Sequence, residues 1–179
     1  MATVRAATPG DAGAIARIYV ETWRATYAGV LPDKVLVEMS ERRQAAIWLH
    51  AIRHAGPQQT VLVADQGRAP VLGFGSCGRA RSPGLKYEGE VFTLYVHQDH
   101  QGKGIGKLLL GALFQRLLES TAHSALIWVL APNPARFFYE AMGGRRVAER
   151  VEKLWGTTLA EAAYGWSDLE RALALLERR

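Results

Sequence analysis

Apolar positions recur at two different spacings along this chain, and the change from one to the other divides it. Behind Thr8-Pro9-Gly10-Asp11, Ile15, Ile18, Tyr19, Thr22 and Thr26 fall at helical spacing. Thr8 suits an N-cap, Pro9 the first helical position and Asp11 the first turn, so a helix is predicted to about Tyr27. Leu31-Pro32 breaks the chain and opens a short second helix, and Ser40 caps a third that carries Ile47, Trp48, Ala51 and Ile52. The first third therefore reads as helical. From Thr60 the period shortens: Val61 to Ala64, a turn at Gln66-Gly67-Arg68-Ala69-Pro70, and Val71 to Gly75 read as a hairpin with glycine irregularity.

A further strand, Glu90 to Val96, leads through His97 into a glycine-rich turn, after which Leu108, Leu109, Ala112, Leu113, Arg116 and Leu117 return to helical spacing. The strand Ala125 to Leu130 follows. With a helix between the two strands, a parallel right-handed crossover is the default. Asn133 opens a helix through Phe137, Phe138 and Tyr139 to a Gly143-Gly144 stop. Strands near Arg146 to Lys153 and Leu159 to Trp166, then a helix from Leu169 to Leu176, complete the chain. No repeat, linker or low-complexity segment separates these pieces, so residues 1–179 are expected to form a single domain of mixed α/β (α+β) layers.

Composition changes this picture little. A chain of 179 residues, 49% hydrophobic and 22% charged, is long enough to bury a substantial core. Its longest apolar run in the second half, Leu108 to Phe114, is far short of the roughly 20 residues of a membrane span, and the N-terminus lacks an apolar signal-peptide core. A soluble, cytoplasmic protein without membrane partners is expected, and the lone Cys77 agrees with a reducing compartment. The net charge of +5 gathers partly in Arg145, Arg146, Arg150 and Lys153 and in Arg178 and Arg179. No interleaved aromatics or zinc-finger spacing accompany them, so a solvated basic surface is expected rather than a nucleic-acid site.

The glycine turn Gln101-Gly102-Lys103-Gly104-Ile105-Gly106 carries the first chemistry. Between a strand and a helix, it leaves orphan first-turn N–H groups and the positive helix end facing outward, while missing Cβ atoms let anionic oxygens approach the backbone; Lys103 and Lys107 add charge. A dinucleotide fingerprint fails, because Lys107 and Leu109 stand where its third glycine belongs, and no acidic residue ends the next strand. A Walker loop fails too: Leu108 follows Gly106-Lys107 in place of Ser or Thr, and Gln101 takes the place of its first glycine.

The spacing Gln101-x-x-Gly104-x-Gly106, after a strand ending Leu94-Tyr95-Val96, resembles the coenzyme A signature of the GNAT superfamily of N-acetyltransferases. Asn133-x-Ala135-x-x-Phe138-Tyr139-Glu140-x-x-Gly143 is similar to that superfamily's following motif, and Trp23-Arg24 to Leu31-Pro32 with Ala163 to Leu169 resembles a mostly uncharacterised bacterial branch. Two departures stand out: Gln101 replaces the more frequent Arg, and Gly144 replaces the Phe that usually follows Gly143, which puts local packing in question. The resemblance implies a mostly antiparallel sheet with a splayed parallel central pair and helices on both faces. It also implies acetyl-CoA as cosubstrate, no metal, and transfer to a small-molecule amine or peptide N-terminus; a homodimer is compatible with it.

Acyl transfer to an amine requires removing its proton, since at a pKa of about 10.4 only about one molecule in a few thousand is neutral at pH 7. Glu90 holds the position of the base in some similar acetyltransferases, acting directly or through water, and burial would sharpen its basicity; Glu88 and a merely solvated Glu90 are the alternatives. The resemblance further implies that the Leu94 N–H meets the thioester oxygen, that Val96 bonds the pantetheine arm beside Tyr95, and that Asn133 bonds the pantetheine or adjacent backbone. Gln101, Gly102, Lys103, Gly104, Ile105, Gly106 and Lys107 would hold the pyrophosphate, with Phe138 beside them. Tyr139 suits a general acid for the departing thiolate, or is a core aromatic. Trp23 and Tyr27 are core residues or a wall of the acceptor pocket. His50 and His54 read as surface histidines and Cys77 as an inert buried thiol. The rival function is a non-catalytic coenzyme A binding module; a nucleotide-binding switch is the third reading.

Overall fold

A computed structural model describes residues 1–56, 59–67, 70–82 and 84–178; Arg68 and Ala69 of the hairpin turn, and Arg179, lie outside the described residues. In chain order the elements are β1 (Thr3–Ala6), a 3-10 turn (Pro9–Asp11), α1 (Ala12–Tyr27), α2 (Asp33–Val37), α3 (Glu41–Arg53), β2 (Thr60–Asp65), β3 (Gly73–Arg79) and β4 (Gly89–Val96). After a second 3-10 turn (Gln98–His100) come α4 (Ile105–Glu119), β5 (Ala125–Leu130), α5 (Ala135–Ala141), β6 (Arg145–Leu154), β7 (Thr157–Trp166) and α6 (Leu169–Arg178). The first third is not wholly helical as the periodicity predicts. The short segment Thr3–Ala6 pairs with β2 at the sheet edge, and its four residues are too few to show an alternation.

The strands form one sheet in the order β1-β2-β3-β4-β5-β7-β6. Every neighbouring pair is antiparallel except β4 and β5, the parallel pair the crossover predicts. Alternation on β2 fixes the layers: Val61 and Val63 join Ile15, Ile18, Trp48 and Ile52 of α1 and α3, whereas Leu62 joins the core of Leu110, Leu113 and Leu117 from α4. α6 covers the far side of α4, where Leu173 and Leu176 approach Gly111. No helix among the described residues is long and apolar enough to cross a membrane.

Two irregularities shape the middle of the sheet. Between β3 and β4 the register runs Ser76 to Thr93 and then Cys77 to Val91, so Phe92 is an extra residue. Val91 and Leu94, an odd number of residues apart, consequently both pack toward α4, while Tyr95 packs toward α1. The β4 and β5 ladder holds only two pairs, Gly89 with Ala125 and Glu90 with Leu126. Gly89 belongs there because a Cβ would stand 2.9 Å from the Leu117 side chain and 3.2 Å from the Ser124 carbonyl.

At the opposite edge Arg5 of β1 bonds Asp65 through Nε at 2.7 Å and Asp11 through both terminal nitrogens at 2.8 and 3.0 Å. Asp11 also accepts from the Thr8 N–H at 2.7 Å, so one carboxylate ties the α1 entry to the sheet. The hydrogen bonds from Arg5 hold the Asp11 carboxyl down at about 2, against the opposing effect of burial. Because the folded value lies below the unfolded value of 3.8, this contribution is present above pH 3.8 and is lost as the pH falls toward 2. Urea unfolding of Arg5→Ala should show a loss of about 1 to 2 kcal/mol at pH 7, the exposure of the Arg5 head reducing what a fully buried pair would cost. The gap to wild type should narrow between pH 4 and 2.

Candidate active site

Beyond Glu90 and Leu126 the two central strands part, and a cleft of about 760 Å³ fills the space between them. Strand groups turned toward a missing neighbour have no ladder partner, so this stretch of β4 presents free backbone polarity to the cleft. Leu94, Tyr95 and Val96 line it from one side and Ile127 to Leu130 from the other.

The glycine turn forms one end. Gly102 and Gly104 hold positive φ of 71° and 80°, and Gly104 is the N-cap of α4. Ile105 is buried beside Leu72 and Leu109 and anchors the first turn, leaving the helix N–H groups at the cleft rim. A Cβ on Gly106 would lie 3.3 Å from the Phe138 ring and would narrow the groove between α4 and α5. Gln101 Nε2 donates to the Val96 carbonyl at 3.1 Å, tying the strand end to the turn. Gln101, Gly102, Gly104, Gly106 and Lys107 line the cleft. Lys103 does not, and its ammonium donates to the Asp99 carbonyl at 2.8 Å.

Deeper in, Tyr139 is 4% exposed and lines the same cavity. Burial first, and then the neighbouring Tyr27, push its phenol well above the usual value of 10. Asn133 works at both ends of its side chain: Oδ1 accepts the Ala135 N–H at 2.8 Å and opens α5, and Nδ2 donates to the Tyr27 hydroxyl at 2.8 Å. On α1, the rings of Trp23 and Tyr27 pack 4.8 Å apart at a tilt of 58°, and Trp23 Nε1 donates to the Tyr95 hydroxyl at 3.0 Å. Both rings line the cleft, as does Phe138.

Glu90, 4% exposed, lines the cleft with both oxygens occupied by one residue: the Arg81 N–H donates to Oε2 at 2.9 Å and its guanidinium to Oε1 at 3.0 Å. The Arg81 guanidinium also sits 3.9 Å above the Phe92 ring. Glu88 instead accepts the His123 N–H and does not line the cavity. Sequence reasoning missed Arg81, and also a second set built alike: Arg150 lies 4.0 Å above the Trp128 ring and donates to Glu161 at 2.5 Å, while Trp128 Nε1 donates to Ser82 Oγ at 3.0 Å. Arg81 reaches back to Glu90 from the loop after β3, although Glu90 itself is in register with Gly78, and Arg150 meets Glu161 across the β6 and β7 pair. Neither register has a local sequence signal.

Gly144 has a packing cause. A Cβ there would stand 2.8 Å from the Trp166 indole and 2.9 Å from the Tyr139 carbonyl, and the indole donates to the Met142 carbonyl at 3.1 Å. Trp166 thus fills the space beside Tyr139 that a bulkier residue 144 would claim. Away from the cleft, His50 and His54 stack at 4.1 Å on the exposed side of α3, and burial pushes the Cys77 thiol up to about 12.

The profile of the acetyltransferase (GNAT) family matches residues 9–143, a span that holds the glycine turn, the splayed strands and α5. The chain belongs to that family. Its sheet, with one splayed parallel pair, is the GNAT fold, and the GNAT chain is an acetyltransferase. It is 33% identical to the uncharacterized N-acetyltransferase YuaI of Bacillus subtilis (strain 168), over 99% of this chain and 100% of that one. Identity to the L-amino acid N-acyltransferase MnaT of Escherichia coli (strain K12) is 31%, over 99% and 95%. Among solved structures, yncA from Salmonella typhimurium with its cofactor acetyl-CoA is similar at TM-score 0.68 and 26% identity, over 94% of each chain.

Asn133→Ala removes the acceptor of the Ala135 N–H at the start of α5 and the partner of the buried Tyr27 hydroxyl together. Urea unfolding should show a loss of about 1 to 2 kcal/mol, and Tyr27→Phe should add little to it, since the two changes delete the same bond.

Proposed function

We propose that this GNAT acetyltransferase moves an acetyl group from acetyl-coenzyme A directly to a primary amine, borne by a small molecule or a peptide N-terminus, within one domain. The observation that carries this reading is the convergence, in a single cleft, of an anion-binding glycine turn, an unpaired strand edge and a buried tyrosine. The acetyl-CoA bound to yncA and the amino acid acceptor named for MnaT agree with it.

The residues fit the cosubstrate. A pyrophosphate takes the N–H groups at the start of α4 with Lys107 beside it, and the pantetheine arm passes over Gly106, where no Cβ blocks the groove beside Phe138. Asn133 keeps the α5 end of that groove in place, and the Val96 N–H on the unpaired edge is left to bond the arm while its carbonyl is held by Gln101. Bound there, acetyl-coenzyme A supplies an activated thioester carbonyl. The Leu94 N–H stabilises negative charge developing on the thioester oxygen, and being preorganised it costs no reorientation.

Glu90 receives the amine proton, directly or through one water. Its carboxylate is held by Arg81 on one lone pair of each oxygen, which fixes its orientation and leaves other lone pairs for the incoming proton. Tyr139 gives its proton to the departing sulfur. A phenol raised above its usual value stays protonated throughout the neutral range and is available as an acid.

Release of free thiol from acetyl-coenzyme A, followed across an amine panel, tests the reading. Tyr139→Phe should lower kcat about 100-fold while coenzyme A affinity stays within about twofold. Unchanged turnover would remove Tyr139 as acid, and no thiol release with any amine would favour a binding module without catalysis. Thermal shift checks the cofactor: coenzyme A should raise the melting temperature more than ATP does, and the reverse order would favour a nucleotide switch.

A further inference from the structure

The hairpin of β6 and β7 closes on Trp155 and Gly156, between the paired residues Leu154 and Thr157. Both turn residues have positive φ, 51° and 74°, the signature of a type I′ turn. Such a turn favours Asn or Asp followed by Gly, and a bulky tryptophan in the left-handed region is strained. The strain gains little burial, for Trp155 is 52% exposed. Its ring is nevertheless placed, edge-on to Trp23 at 5.8 Å and 84°. Trp23 and Leu154 line the cleft, and Trp155, which does not, sits just outside that lining against Trp23. From there an aromatic row runs inward: Trp23 packs tilted against Tyr27 at 4.8 Å and bonds Tyr95, the neighbour of Leu94 on the splayed strand. Strained residues held against their own preference cluster at ligand sites, and a half-exposed tryptophan beside a second tryptophan is a surface for a flat apolar group.

We infer that Trp155 and Trp23 form an acceptor-selecting notch that takes a flat, apolar side chain of the amine substrate and points its nitrogen down the aromatic row toward the splayed strands. This rests on the acyl-transfer reading of the cleft. Trp155 is a specificity residue and touches no reacting atom.

Calorimetric titration of the purified protein, with and without coenzyme A, compares two matched pairs: 2-phenylethylamine against ethylamine, and phenylalanine against alanine. Wild type should bind the aromatic member of each pair more tightly by about tenfold. Trp155→Asn supplies the residue the turn itself prefers, so melting temperature should hold or rise while the aromatic preference disappears; Trp155→Phe should retain part of it. Trp155→Asp carries the same comparison should the Asn variant fail to fold. Equal affinity within each pair, no measurable binding of either aromatic member, or a preference that survives Trp155→Asn would overturn the notch. Failure of the acyl-transfer reading is seen separately, as absence of thiol release while the binding preference persists.

Discussion

One surplus residue in a strand governs this molecule. Because Phe92 has no place in the register between β3 and β4, the alternation of β4 reverses halfway along. Its first half is committed to β5 through Gly89 and Glu90, and its second half is free of it. A regular parallel ladder would have continued along β5, filling the backbone bonds of Leu94 and Val96 and leaving no room between the strands. The cleft is therefore a consequence of pairing that stops, and the glycine turn, α5 and the α1 aromatics gather around it because each is attached to one side of the divergence.

The closed end of the divergence holds a charge. Glu90 belongs to the last ladder pair, nearly out of solvent, and an unpaired carboxylate there would be costly to desolvate. Arg81 compensates it with a backbone and a side-chain donor from the loop after β3. Arg150 and Glu161 repeat the arrangement on β6 and β7, each arginine lying on an aromatic ring. One side of the cleft consequently carries oriented ion pairs on aromatic rings, whereas the other is glycine backbone and apolar wall.

Much of this was legible in the chain. Helical and strand periods gave α1, α3, α4 and β5 with nearly their observed bounds, and the position of a helix between β4 and β5 gave their parallel sense. The glycine turn was legible because φ above zero and close backbone approach both demand that residue type. What stayed hidden depends on register. A bulge leaves no compositional mark, so neither the splay nor the Arg81 contact to Glu90 could be read from spacing. β1 was too short to show a period, and β3 runs to Arg79, past the expected end at Gly75, through glycines and Cys77 that dilute the pattern. Trp155 carries no signal in the sequence, because only its backbone angle and its approach to Trp23 set it apart.

Gly144 and Trp166 belong to different elements, yet they share one volume beside the Tyr139 backbone. Neither can be exchanged alone: a larger residue at 144 meets the indole, and a smaller one at 166 leaves a void next to the cleft. The two positions are therefore epistatic. A change at either position alone passes through a poorly packed state, so size can be traded between the two only when both change together.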